Sequence, residues 1–150
     1  MDPLLAHLFL NHIPVIGGIG ALLLLAYGVF RRSTDVTLTA LVSFVIVGVG
    51  GIASFTTGTL ASSRIHDAAT QLLIGQHRDA SIAALVGLEA AAVVAACALF
   101  AWKTTRRYPL FGAVATLVLG IAASVLILRA ASLGGPIGHT SLRPGVVATR

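Results

Sequence analysis

Four stretches of the chain are continuously apolar, and polar residues gather in the segments between them. The stretches run from about Ile13 to Phe30, Val36 to Leu60, Ala80 to Trp102 and Leu110 to Ala131. Each is near the roughly 20 residues an α-helix needs to cross the hydrocarbon core of a bilayer. The pattern predicts an all-α fold: one domain over residues 1–150, an integral membrane bundle of four helices. Residues 62–79 form a loop outside the membrane and 132–150 an outer tail. Within that loop Ile65, Ala68, Ala69, Leu72 and Leu73 recur at i, i+3, i+4, i+7 and i+8, the stripe of an amphipathic helix. It reads as a short helix on the membrane surface that Gly75 separates from the third span, the alternative being an extension of that span.

The ends of the spans carry their own signals. Asn11-His12-Ile13-Pro14 reads as the start of the first helix, with Asn11 capping and Pro14 in the first turn. Gly134-Gly135-Pro136-Ile137-Gly138-His139 reads as a turn that releases the chain from the fourth helix and folds His139 back over the outer mouth. The first apolar run is not expected to be a signal peptide. Met1-Asp2-Pro3 supplies no positive leader, and Arg31-Arg32 follows the run.

Composition identifies the solvent. The chain is 57% hydrophobic and only 10% charged, with mean hydropathy +0.96. Soluble domains carry roughly 25% charged residues. A soluble domain of 150 residues could not bury so much apolar surface. The lipid bilayer is therefore the first expected partner. Small residues inside the spans (Gly17-Gly18, Gly48, Gly50-Gly51, Ala90 to Ala92) let membrane helices approach closely.

Charge sets the orientation. The net charge is +5, but the basic residues flank apolar runs, which argues for topology and not for nucleic-acid binding. Arg31, Arg32, Lys103, Arg106 and Arg107 lie in two short loops, while Arg64, Arg78, Arg143 and Arg150 are spread over longer outer segments. The dense loops are expected in the cytoplasm, with Trp102 and Tyr108 as aromatic anchors beside one of them. Both termini then lie on the periplasmic side.

All five histidines fall on that same outer side. Imidazole ligates haem iron, zinc and copper. His12 and His77 open the first and third helices, which can lie diagonally in an up-down bundle and enclose an apolar slot. They are the candidate axial ligands of haem iron, with His139 an additional cofactor-binding candidate. The plainer reading is an interfacial histidine hydrogen-bonded to water or a lipid headgroup. A zinc-like site would need three or four ligands in close array. His7, His12, His66 and His139 could contribute to one, though their spacing matches no metal motif. His66 and His77, if on one helix, would stand about 16 Å apart and could not share an ion. Cys97 is the single cysteine, and no Cys-x-x-Cys-His occurs, which excludes covalent c-type haem.

Two charges lie inside apolar segments. Arg129, near the outer end of the fourth helix, either snorkels to the interface or meets a haem propionate. Glu89, near mid-membrane, is expected neutral and hydrogen-bonded to a neighbouring helix. Thr56-Thr57-Gly58-Thr59 offers small polar groups for a bond across the bundle or for a surface against a flat ligand.

Asn11-His12-x-Pro14, Thr57-Gly58, His77-x-Asp79-Ala80 and Gly134-Gly135-x-Ile137-x-His139 together resemble a family of small four-span bacterial inner-membrane proteins, a domain of unknown function. The resemblance covers nearly the whole chain. It implies the four-span fold, a bacterial inner membrane, and His12, His77 and His139 as the residues that matter, ahead of His7 and His66. The layout is similar to small membrane cytochromes b, a likeness of fold level only. Arg78 and Thr140 stand where that pattern usually has acidic residues.

The expected function is electron transfer: a b-type haem subunit of a respiratory or photosynthetic membrane complex, or a partner of a periplasmic redox protein. The alternatives are a cofactor-free accessory subunit and a small metal-handling or transport protein, although four spans are few for alternating access. An enzyme is the least expected class. No nucleophile is paired with a base, and neither a phosphate loop nor a dinucleotide fingerprint occurs.

Overall fold

The computed structural model describes residues 2–138, and within them every regular element is helical. Helix α1 (Pro3–Leu10) is joined through a π-helical turn (Ile13–Gly17) to α2 (Gly18–Arg31). Three long helices follow: α3 (Thr34–Ser62), α4 (Ala68–Thr105) and α5 (Leu110–Gly138). With α1 and α2 taken as one rod, four helices are long and apolar enough to cross a membrane.

The first rod starts ten residues earlier than the apolar run predicts. Asp2 caps it, with Oδ1 accepting the Leu4 N–H at 2.8 Å, and Pro3 occupies the first turn. Asn11-His12-Ile13-Pro14 is therefore not a helix start but a distortion within the span. Pro14 has no N–H to donate to the preceding turn, and the chain widens there into the π turn. Ile13 beside it packs against Gly50, pinning the distorted turn to α3.

The other two departures have equally local causes. Residues 68–79 do not form a separate surface helix. They are the first three turns of α4, which runs unbroken through Gly75 for 38 residues, about 57 Å. Asp67 fixes its start, with Oδ2 accepting the Thr70 N–H at 2.9 Å and the Thr70 hydroxyl at 2.6 Å. Nor does α5 end at its glycines: it continues through Gly134, Gly135 and Pro136 to Gly138. Gly134 leaves room for the ring of His77, and neither glycine makes a turn.

The bundle is built on small residues. Leu25, Ala40, Leu41, Ala91, Ala95 and Ala113 are fully buried and pack with Phe44 between the helices. A Cβ on Gly48 would stand 2.8 Å from that of Ala92, and one on Gly120 would stand 2.7 Å from Phe44 Cζ. At the end carrying the basic loops, the Tyr108 hydroxyl donates to the Gly28 carbonyl at 3.3 Å and accepts from Thr37 at 3.0 Å, tying α2 and α3 to the α4–α5 connection. The outward surface is the reverse of a soluble bundle. Phe30 is 83% and Phe111 90% exposed, with Phe9, Phe100 and many aliphatic side chains beside them. Such continuous apolar exposure suits contact with lipid.

Candidate functional site

The bundle opens at the end opposite the basic loops. There α1 packs mainly on α3 and stands away from α5. A cavity of about 640 Å³ lies between the α1–α3 pair and the α4–α5 pair, within the range of cofactor and ligand sites. Leu88 and Ile127 form part of its floor, and most of its wall is aliphatic. Two imidazoles line it, those of His7 and His77.

Each ring is held in the same way. His7 Nδ1 lies 2.8 Å from the Ser54 carbonyl oxygen on α3, and His77 Nδ1 lies 2.8 Å from the Ala130 carbonyl oxygen on α5. A carbonyl can only accept, so in both rings Nδ1 carries a hydrogen, and of the two neutral tautomers this selects the one with the lone pair on Nε2. Helix carbonyls are normally shielded by the side chain one turn later. Here that residue is glycine in both cases, Gly58 after Ser54 and Gly134 after Ala130. A Cβ on Gly58 would stand 2.8 Å from His7 Cε1, and one on Gly134 would stand 3.2 Å from His77 Cε1. The missing methyl groups are what let the rings reach the backbone.

The lone pairs that remain are nearly free. His7 Nε2 has no hydrogen-bond partner among the described residues, and the Ser81 hydroxyl reaches His77 Nε2 only at 3.4 Å. The geometry matches that of metal-ligating histidines, whose other ring nitrogen donates to a carbonyl or carboxylate that fixes the tautomer and raises basicity.

Of the sequence candidates, then, His77 lines the cavity and His12 does not. His12 is exposed, and its Nδ1 contacts only the Phe9 carbonyl of its own helix, at 3.3 Å. His139 lies outside the described residues. Arg129 is exposed and is not part of the cavity wall, whereas Arg78 is. His66 is exposed in the α3–α4 connection. The partner of His77 in the cavity is His7, which the sequence reading ranks low. The signal for it is periodicity. Residues 7, 11, 14, 18, 21, 25 and 28 alternate steps of four and three along the first rod, one face of a helix, and Gly18, Ala21, Leu25 and Gly28 on that face are buried. Starting the helix at Ile13 hides this continuity. His12 lies one residue off it.

Contrary to expectation, Glu89 makes no bond to a neighbouring helix among the described residues. Its Oε1 is buried without a hydrogen-bond partner among the described residues. The carboxyl lies against the glycine face of α3, where a Cβ on Gly48 would be 3.3 Å from Oε2 and one on Gly51 3.8 Å from Oε1. Gly51 itself lines the cavity.

No family model, no curated protein and no solved structure matches the chain.

Proposed function

We propose that the chain is a multi-pass bacterial inner-membrane protein that binds b-type haem between His7 and His77 and transfers electrons within a larger membrane complex or to a periplasmic partner. The carrying observation is the pair of imidazoles lining one apolar cavity, each with Nδ1 tied to a backbone carbonyl and neither Nε2 in a hydrogen bond shorter than 3.4 Å among the described residues. Haem iron held by these two residues would supply one-electron chemistry. The protein's part is to hold two neutral imidazoles as ligands, to keep the site apolar and to orient both rings before the cofactor arrives. Arg78 at the cavity wall is the cation for a propionate in place of Arg129.

Two facts favour haem over a zinc-like ion. No group of three or more His, Cys, Asp or Glu side chains is placed to hold a metal among the described residues, and a structural or catalytic zinc takes at least three protein ligands. Haem needs only two, from facing helices. For orientation, the five basic residues of the two inner loops favour the cytoplasm for that end. The cavity, the chain start and the α3–α4 connection are then periplasmic.

The test is the optical spectrum and pyridine-haemochrome assay of the purified protein, expressed with haem available. A Soret band that requires both His7 and His77 supports the proposal. Protein that folds but takes up no haem refutes it and leaves the cofactor-free accessory subunit.

A further inference from the structure

At the end opposite the cavity, a second depression lies between α4 and α5. Its volume is about 400 Å³. Val94, Cys97, Ala98 and Ala101 line one side and Phe111 and Ala115 the other. It exists because the two helices meet through their smallest residues: a Cβ on Gly112 would stand 2.5 Å from that of Ala98. Flanking side chains cannot fill the space beside so close an approach. From Val94 to Thr105 the depression follows α4 for about 16 Å, roughly half the ~30 Å hydrocarbon core. It therefore has the depth of one leaflet.

Its rim is cationic. Arg107 lines it, and Arg106 stands over Trp102, another of its lining residues. Arg106 ends α4 in the left-handed conformation (φ 57°), with its guanidinium 5.1 Å from the Trp102 ring centroid. That stacking positions the charge, and the guanidinium N–H groups make no hydrogen bond among the described residues. Arg31 and Arg32 sit at the same end of the bundle. Of the five side-chain carboxylates, Asp2, Asp67 and Asp79 lie at the other end and Glu89 midway along α4, so among the described residues Asp35 alone offers negative charge here.

We propose that this groove is a binding site for an anionic phospholipid, with one acyl chain lying along α4 and α5 and the phosphate held by Arg106 and Arg107. An apolar slot of leaflet depth, capped by guanidinium groups without an ion-pair partner among the described residues, fits a phosphate joined to a hydrocarbon chain. A zwitterionic lipid would bring its own ammonium group against the arginines, and free phosphate would leave the slot empty.

The experiment uses the full chain in detergent and in nanodiscs. Native mass spectrometry compares retention of phosphatidylglycerol with that of phosphatidylcholine, and thermal unfolding is followed with each lipid and with inorganic phosphate. Phosphatidylglycerol should be retained preferentially and should raise the melting temperature, while inorganic phosphate should not. Arg106→Gln and Arg107→Gln should each lower that preference about fivefold, the effect of one basic residue beside an anionic surface. Ala101→Trp, at an exposed position, fills the slot without altering charge and should also abolish retention. Equal retention of the two lipids, an unchanged preference in Ala101→Trp, or full stabilisation by inorganic phosphate would overturn the proposal.

Discussion

The His7 ring lies so close over Gly58 that a methyl group on that glycine would stand 2.8 Å from Cε1 and 2.9 Å from Nδ1. No Cβ fits at that distance, so Gly58→Ala must push the ring off the Ser54 carbonyl. At Gly134 the corresponding distances to the His77 ring are 3.2 and 3.3 Å, which a shift of a few tenths of an ångström relieves. The two substitutions are chemically identical and should differ in effect. Gly58→Ala is expected to weaken haem binding by about 10- to 100-fold, the cost of losing a ligand's supporting hydrogen bond. Gly134→Ala should weaken it less. Haem titration followed at the Soret band measures both. Equal effects would mean that the carbonyl bonds do not orient the rings.

The ligand assignment separates two histidines five positions apart on one rod. His7→Ala and His77→Ala should each abolish the low-spin haem spectrum, because each removes a lone pair from the cavity. His12→Ala should leave it unchanged, because His12 is exposed and bonded only to Phe9 of its own helix. Circular dichroism in the helical band checks that all three variants fold. A spectrum lost in His12→Ala and kept in His7→Ala would restore the assignment that the Asn11-His12-x-Pro14 motif alone supports.

That contrast shows what the sequence could and could not disclose. The four apolar helices were legible because lipid as solvent leaves an unambiguous record in runs near 20 residues. His77 was legible as a residue at the outer end of the third apolar run, but it does not open the helix: α4 begins nine residues earlier, at Ala68. His7 was hidden by a proline. Pro14 looks like the first turn of a helix, where it is tolerated, so the residues before it fall outside the expected span. In the structure the same proline sits in a π turn midway along the rod, and Asp2-Pro3 supplies the true cap. Gly134 misled in a similar way. A Gly-Gly-Pro segment signals a turn, but this one stays helical, and Gly134 within it leaves room for the ring of His77, 57 positions earlier. No local rule carries that information, since the contact exists only after α4 and α5 pack.

Glycine also provides a stability test with an internal control. Gly75 is exposed in the first turns of α4, and a Cβ there would meet nothing within 4 Å. Gly75→Ala should therefore stabilise by about 0.5–1 kcal/mol, the difference in helix propensity. Gly48 is buried, and a Cβ there would stand 2.8 Å from that of Ala92. Gly48→Ala gains the same propensity but must separate α3 from α4, and should destabilise by about 1–3 kcal/mol. Thermal unfolding in one detergent compares them directly. A stabilising Gly48→Ala would show that the α3–α4 seam is looser than the geometry requires.

Glu89 offers a test of what the fold tolerates for function. Its Oε1 is buried without a partner among the described residues, and a buried polar atom left unbonded costs about 1–3 kcal/mol. Methionine has nearly the same length and no such atom. Glu89→Met should therefore raise the unfolding free energy by about 1 kcal/mol or more. A fall in stability would mean that the carboxyl is bonded in the folded protein. Haem titration of the same variant then gives the second half of the result. The carboxyl lies behind Gly51, a residue of the cavity wall, but it is not itself part of that wall, so haem affinity should stay within about twofold of the parent, less than 0.5 kcal/mol. A variant that is more stable and binds haem equally well would show that Glu89 serves neither folding nor ligation. What remains for it is a role in the membrane interior beside the site, where an ionisable group is costly to keep.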